Sequence, residues 1–270
     1  MRYVRVSTVE GPVVAVQRGD ALEPLDPGSV PAALGEGGPS AGDLGTAGDA
    51  RLIAPVTPGK VVAIGLNYKD HIAETGLPTP DRPLIFAKFP SSVIGPGAAI
   101  RIDPEITERV DWEVELCAIV GRQMSRVPER DALDYVFGYT VGNDVSARDV
   151  QFGDGQWVRG KSLDTFCPLG PCVVSADEIP DPQDVRLTTR VNGETMQDAS
   201  TAAMVFGVAE LLAYCSRSFT LEPGDVLMTG TPWGCGEFMD PKRSLADGDV
   251  VEVEAAGIGV LRNPVELVGS

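Results

Sequence analysis

Apolar and polar residues alternate over positions 3–9, a second apolar run covers 13–16, and Glu10-Gly11-Pro12 separates the two. Alternation and an apolar run on either side of a turn cluster predict a hairpin. Positions 24–50 are rich in Gly, Pro, Asp and Ala without sustained periodicity, and read as a surface connection with at most one short helix. Beyond it, short apolar runs predict strands at 61–65, 84–89, 112–120, 136–141, 185–191, 226–229, 250–254 and 258–261. Asn192-Gly193 follows the fifth of these as a tight turn. Helical spacing appears at 68–75, stopped by Gly76 and Pro78, and at 128–135, with Pro128 in the first turn. Ser146 is placed to cap a short helix to about Gln151. Ser200 is placed to cap the longest helix, over 201–217.

Strands outnumber helices and no regular βαβ alternation appears, so the body is predicted to be α+β and predominantly β. Residues 1–54 form a small N-terminal β appendage and linker, and residues 55–270 the main domain. The length of 270 residues suffices for one large core.

Composition narrows the partners. No run of eighteen apolar residues exists, so no membrane is expected. The first ten residues lack the apolar centre of a signal peptide, so secretion is not expected. A formal charge of −17 repels phosphate backbones and argues against nucleic acid. Most of that charge reads as a solubilising surface. The five cysteines contain no C-x-x-C pair, which suggests neither a zinc site nor a disulfide framework and fits a reducing cytoplasm. Cys235 lies in a glycine-rich loop, where an activated thiol would lack a second histidine to serve it.

The segment Asp111-Trp112-Glu113-Val114-Glu115-Leu116 carries the most chemistry. On a strand, Asp111, Glu113 and Glu115 share one face and Trp112, Val114 and Leu116 the other. A half-buried edge strand with a wet acidic face is the plainer reading. Against it, Glu is a poor strand former and aligned like charges repel, which a cation would relieve. Oxygen ligands without Cys or His favour Mg²⁺, Mn²⁺ or Ca²⁺. Asp144, at the end of the 136–141 run, is a candidate third ligand, although alone it reads first as a turn aspartate or a cap.

His71 is the only histidine, and Glu74 is its helical neighbour. Alone the two read first as a surface pair. As a functional pair they make an imidazole general base oriented by a carboxylate, on a segment that Gly76 would let move as a lid. Lys161 follows a glycine in a polar loop and reads equally as a solvated lysine or as a contact for a carboxylate or enolate. The 230–234 turn offers backbone N–H groups to an anion but is no P-loop.

Taken together these segments resemble the fumarylacetoacetate hydrolase family. The resemblance rests on Ile64-Gly65-Leu66-Asn67-Tyr68 with His71 and Glu74, on Glu113-Val114-Glu115-Leu116, and on Gly142-Asn143-Asp144-Val145-Ser146-Ala147-Arg148-Asp149 through Gln151. It continues through Arg159-Gly160-Lys161-Ser162-Leu163-Asp164, Thr229-Gly230-Thr231-Pro232 and Gly257-Ile258-Gly259 with Leu261 and Asn263. The segments keep the family's order over roughly 55–265. Two departures are Phe89 after Lys88, where proline is common, and Cys235, where valine is usual.

The resemblance implies a β-roll with a few helices, usually dimeric, with residues 55–270 as the catalytic domain. It implies Glu113, Glu115 and Asp144 as ligands of Mg²⁺ or Mn²⁺, with Ca²⁺ a stand-in in crystals. His71 and Glu74 become a water-activating pair, Lys161 and Gln151 contacts to substrate oxygens, and Thr231 a contact to the carboxylate end. The implied substrate is a small 2-oxo acid, with C–C hydrolysis of an acylpyruvate expected first. Oxaloacetate decarboxylation and isomerisation of a ring-cleavage dienoate are the alternatives on the same site. A catalytically idle binding protein is a further alternative, which the intact His71, Glu74 and Lys161 oppose. A phosphoryl-transfer enzyme would lack its phosphate loop and arginine cluster.

Overall fold

The computed structural model describes all residues except 36, 37, 40, 41, 43 and 270. Five of these fall in the 24–50 connection, so part of that segment lies outside the described residues. What is described there holds two 3₁₀ turns, Pro27–Ser29 and Ala32–Leu34.

The long sheet runs in the order Ala21–Pro24, Gly11–Arg18, Arg2–Thr8, Cys167–Ser175, Val136–Asn143, Val114–Val120, Val226–Met228, Val61–Gly65 and Leu84–Lys88. Its central strand, Val114–Val120, is buried at every position. Alternation still governs it. Val114, Leu116, Ala118 and Val120 join one core cluster, while Cys117 and Ile119 join the other. The sheet thus separates two apolar layers, as strand geometry requires of a strand covered on both faces.

A second sheet orders Glu194–Ser200, Arg186–Val191, Val250–Ala255, Gly259–Leu267 and Ile100–Ile102. Its Leu187, Val191, Val251, Val253 and Leu261 share a core with Val114 and Leu116. The predominantly β, α+β expectation holds. The predicted N-terminal hairpin forms, Arg2–Thr8 against Gly11–Arg18, and Arg2 and Tyr3 also pair with Val174 and Val173 of the Cys167–Ser175 strand.

Several local expectations are corrected. The acidic strand is interrupted at Trp112 and Glu113: Val110–Asp111 pairs with Ser146–Ala147, and the long strand begins at Val114. The Glu113 N–H is satisfied by Asn143 Oδ1 at 3.0 Å, so a side chain replaces the ladder there. Ser146 caps no helix, because its hydroxyl donates to Asp144 O at 2.8 Å, and the helix Arg148–Asp154 starts later. Ser200 caps only a 3₁₀ turn, Thr201–Ala203, and the long helix is Val208–Ser218. The break arises because Asn67 takes both the N–H and the C=O of Phe206. Lys161 is not in a loop but ends the short helix Val158–Lys161. Cys167–Ser175 is a nine-residue strand that Pro168, Gly170 and Pro171 hid from the pattern.

Candidate active site

Antiparallel pairing of Val114–Val120 with Val136–Asn143 sets Val114 opposite Asn143. Glu113 and Asp144 then meet at the ends of the two strands, and the Asp144 N–H donates to Glu113 O at 2.9 Å. A carboxylate oxygen from each of Glu113, Glu115 and Asp144 lies within 4.8 Å of the others, and all three residues are buried.

Two of the chain's five lysines converge on this floor. Lys161 Nζ donates to Glu113 Oε2 at 2.8 Å and Asp144 Oδ2 at 2.7 Å. Lys88 Nζ donates to Asp144 Oδ1 at 2.5 Å and to Val145 O at 3.2 Å. Both lysines are almost fully buried, which excludes the solvated reading of Lys161. Burial pushes the Glu113 carboxyl up, but Lys161, Arg148 and His71 outweigh it and lower it to about 2. Glu115 goes the other way. Burial, then Asp144 and Glu113, drive it well above the ordinary carboxylate range, although Gly230 N–H donates to it at 2.8 Å. Lys161 is pulled down by burial and raised more strongly by Asp144 and Glu113, so it stays charged.

Arg148 was part of a matching segment but carried no expected role. Its Nε donates to Asp111 Oδ2 at 2.9 Å and its Nη1 to Gln151 Oε1 at 3.1 Å. Its Nη2 sits at ion-pair distance from Asp111 (2.7 Å) and Glu113 (2.6 Å), outside hydrogen-bonding geometry. Asp111 also accepts the Gly236 N–H at 2.7 Å and the Glu237 N–H at 3.1 Å. It ties the acidic segment to the 230–236 loop and does not join the triad.

His71 and Glu74 form the rim. Both lie on the helix Lys69–Thr75, which ends at Gly76 with φ of 69°, a left-handed cap that glycine adopts without strain. His71 is buried, which corrects the surface-pair reading. Glu74 Oε1 is 2.7 Å from His71 Nδ1, and Glu74 Oε2 accepts the Gly234 N–H at 2.9 Å. The N–H groups of Gly230 and Gly234 are therefore taken by the protein's own carboxylates, not left for an external anion. Cys235, buried, has its Sγ 3.9 Å from His71 Nδ1.

One narrow cleft is lined by His71, Glu113, Arg148, Gln151, Lys161 and Thr231, with Leu66, Leu77, Phe152 and Phe238 among its apolar walls. Leu66 sits at φ of 53°, a left-handed conformation costing a branched residue roughly 1–2 kcal/mol, and such strain clusters at functional sites. Gln197, which had no expected role, donates to Thr231 Oγ1 and Pro232 O at 2.9 Å and accepts the Val114 N–H at 3.0 Å. It locks the Thr231 loop onto the floor.

Comparison with known proteins decides the family. Residues 60–266 match the model of the fumarylacetoacetate (FAA) hydrolase C-terminal domain. The chain belongs to the fumarylacetoacetate hydrolase family. It is 48% identical over 217 residues to a mitochondrial oxaloacetate tautomerase of Xenopus laevis, covering 79% of this chain and 68% of that one. A human oxaloacetate tautomerase, also named mitochondrial, is 45% identical over 217 residues, covering 79% and 69%. Among solved structures, a 2-hydroxyhepta-2,4-diene-1,7-dioate isomerase from Mycobacterium marinum superposes with TM-score 0.85 at 37% identity, covering 100% of both chains. A fumarylacetoacetate hydrolase from Exiguobacterium antarcticum gives 0.86 at 37%, covering 99% of both. As a member of this family the chain is an enzyme.

Proposed function

We propose that this enzyme interconverts the keto and enol forms of a small 2-oxo dicarboxylic acid, oxaloacetate first, with Mg²⁺ or Mn²⁺ held by Glu113, Glu115 and Asp144. The observation that carries the reading is a cleft lined by Glu113 of a buried oxygen triad and by His71 of a hydrogen-bonded His71–Glu74 pair.

The residues fit such a cation. The donors are hard oxygens only. Four buried carboxylates, Asp111, Glu113, Glu115 and Asp144, face three buried cations, Lys88, Lys161 and Arg148. The unrelieved repulsion falls on Glu115, whose proton affinity is raised by burial first and then by Asp144 and Glu113. A bound dication supplies Lewis-acid stabilisation of negative charge on a substrate oxygen. It leaves the site one positive charge in excess, which suits an anionic substrate.

The protein's own groups do the rest. Glu74 accepts the proton on His71 Nδ1, so Nε2 is the nitrogen free to exchange a proton. Nε2 removes a proton from the carbon next to the 2-oxo group, and the proton returned to oxygen completes the enol. No water is consumed. Lys161 holds positive charge beside the developing enolate. Gln151 and Thr231 orient the substrate's oxygens. The relatives named oxaloacetate tautomerases favour this reaction over hydrolysis.

Hydrolysis of an acylpyruvate is the second reading, favoured by the position of Glu74 at the partly exposed rim. There the same pair takes a proton from an attacking water. Decarboxylation and dienoate isomerisation draw on the same enolate stabilisation without that water. Enol absorbance of oxaloacetate and acetylpyruvate, followed with Mg²⁺, Mn²⁺ or chelator and with products identified, separates these. Metal-dependent enol loss with oxaloacetate intact supports the tautomerase. Acetate from acetylpyruvate moves the assignment to hydrolysis, and pyruvate from oxaloacetate to decarboxylation.

Residues 55–270 are proposed as the catalytic unit, with 1–54 an appendage, and the assembly as a homodimer, which light scattering tests. Five free, buried cysteines suit a reducing compartment such as the cytoplasm.

A further inference from the structure

The rim holds a second group of ligand atoms, in which Cys235, unused by the proposed reaction, joins the His71–Glu74 pair. His71, Glu74 and Cys235 each bring one ligand atom within 4.8 Å of the other two. Cys235 Sγ and Glu74 Oε1 both approach the same nitrogen, His71 Nδ1, at 3.9 and 2.7 Å. One nitrogen, one sulfur and one carboxylate oxygen are the donors that zinc selects, in contrast to the oxygen-only floor. Bond lengths of about 2.0 Å to nitrogen and oxygen and about 2.3 Å to sulfur set tetrahedral ligand atoms roughly 3.3–3.6 Å apart. The Cys235–His71 separation is already close to that, and the Glu74 carboxylate needs to retreat by about half an ångström.

The backbone around the three residues is fixed, while burial, Glu113 and Asp111 push the Cys235 thiol up, a cost that a bound cation must outweigh. Gly234 N–H fixes the other Glu74 oxygen. Trp112 Nε1 donates to Gly234 O at 3.1 Å and Asp111 accepts the Gly236 N–H, so the backbone on both sides of Cys235 is anchored. A Cβ on Gly234 would stand 2.2 Å from Met196 O, and one on Gly236 2.3 Å from Arg243 O, so both positions demand glycine. His71 lines the cleft, which gives an ion a way in.

We propose that His71, Glu74 and Cys235 form a second, softer cation site for Zn²⁺, and that filling it stops turnover by withdrawing His71 from proton transfer. On binding, the Cys235 thiol proton leaves to solvent, and the fourth ligand position stays open to water. Inhibition follows only if His71 works as proposed above, whereas the site itself rests on the side-chain placement alone.

The test separates the two. With saturating Mg²⁺ present, Cd²⁺ is titrated into the full chain and thiolate-to-cadmium absorption is read in the ultraviolet. One equivalent is expected in the wild type and none in Cys235→Ala or Cys235→Val. Since Cys117, Cys167, Cys172 and Cys215 remain, a band unchanged in both variants would overturn the site, as would its absence from the wild type. For activity, Zn²⁺ should inhibit the wild type at concentrations at least about tenfold below those needed for either variant, the scale expected when one ligand is lost. Equal zinc sensitivity in wild type and variants would overturn the inhibitory role.

Discussion

Glu115 and Glu74 are two carboxylates that each accept a glycine N–H from the same loop, Gly230 for one and Gly234 for the other. Glu115 stands on the central strand, buried between two other carboxylates, and its proton affinity is driven up. Glu74 stands on a seven-residue helix, partly exposed, and engages one imidazole. On the floor, Glu115 is paired with Gly142 and Glu113 is tied to Asp144 through the backbone, so its charges have little freedom to avoid one another. The rim is built on a short element that ends at Gly76 and leads into exposed residues such as Leu77. Repulsion concentrated on rigid strands stores a demand for a cation, while a proton-transfer pair needs only correct orientation.

That contrast predicts different costs. Asp144→Asn should have the largest effect. It leaves Lys88 without a charged partner in the interior and Lys161 with Glu113 alone, at about 3–5 kcal/mol of stability, and removes a proposed ligand. Chemical denaturation and turnover should both fall, and a stable Asp144→Asn protein would break the account of the floor. His71→Ala should reduce turnover about 10²–10⁴-fold if it transfers the proton. Its denaturation midpoint should move far less than that of Asp144→Asn, and near-normal turnover would remove His71 from the mechanism.

Gly142→Ala tests the rigidity of the floor without touching charge. Its Cβ would lie 2.7 Å from Cys117 Sγ and 3.0 Å from both Leu169 Cδ2 and Met228 Cε, and overpacking of this kind costs about 1–3 kcal/mol. Leu77→Ala, at an exposed rim position, should change stability by less than about 0.5 kcal/mol. A larger loss in thermal unfolding would show that the rim is as tightly held as the floor.

The same contrast explains what the sequence discloses. Strands and the Gly76 helix stop are local patterns, and they stand near where periodicity places them. Glu113 and Glu115 are two residues apart, so their proximity is local, although Glu113 stands in a break that Asn143 fills. Lys161 defeats local reading because its burial depends on Glu113 and Asp144, 48 and 17 positions away. Arg148 and Gln197 are tertiary connectors whose hydrogen bonds exist only once the loops have met. Asn67 breaks a helix 139 positions distant, which no propensity at 201–217 encodes. Cys235 and His71, 164 positions apart, reveal their pairing only in three dimensions.

The most direct test of the central claim, that the buried triad holds the cation that makes enol chemistry possible, is the rate of oxaloacetate enol loss before and after chelation. The wild type should lose activity with chelator and regain it with Mg²⁺, while Glu113→Gln should stay inactive at the same Mg²⁺ concentration. Full activity of the wild type in chelator, or of Glu113→Gln at low Mg²⁺, would contradict it.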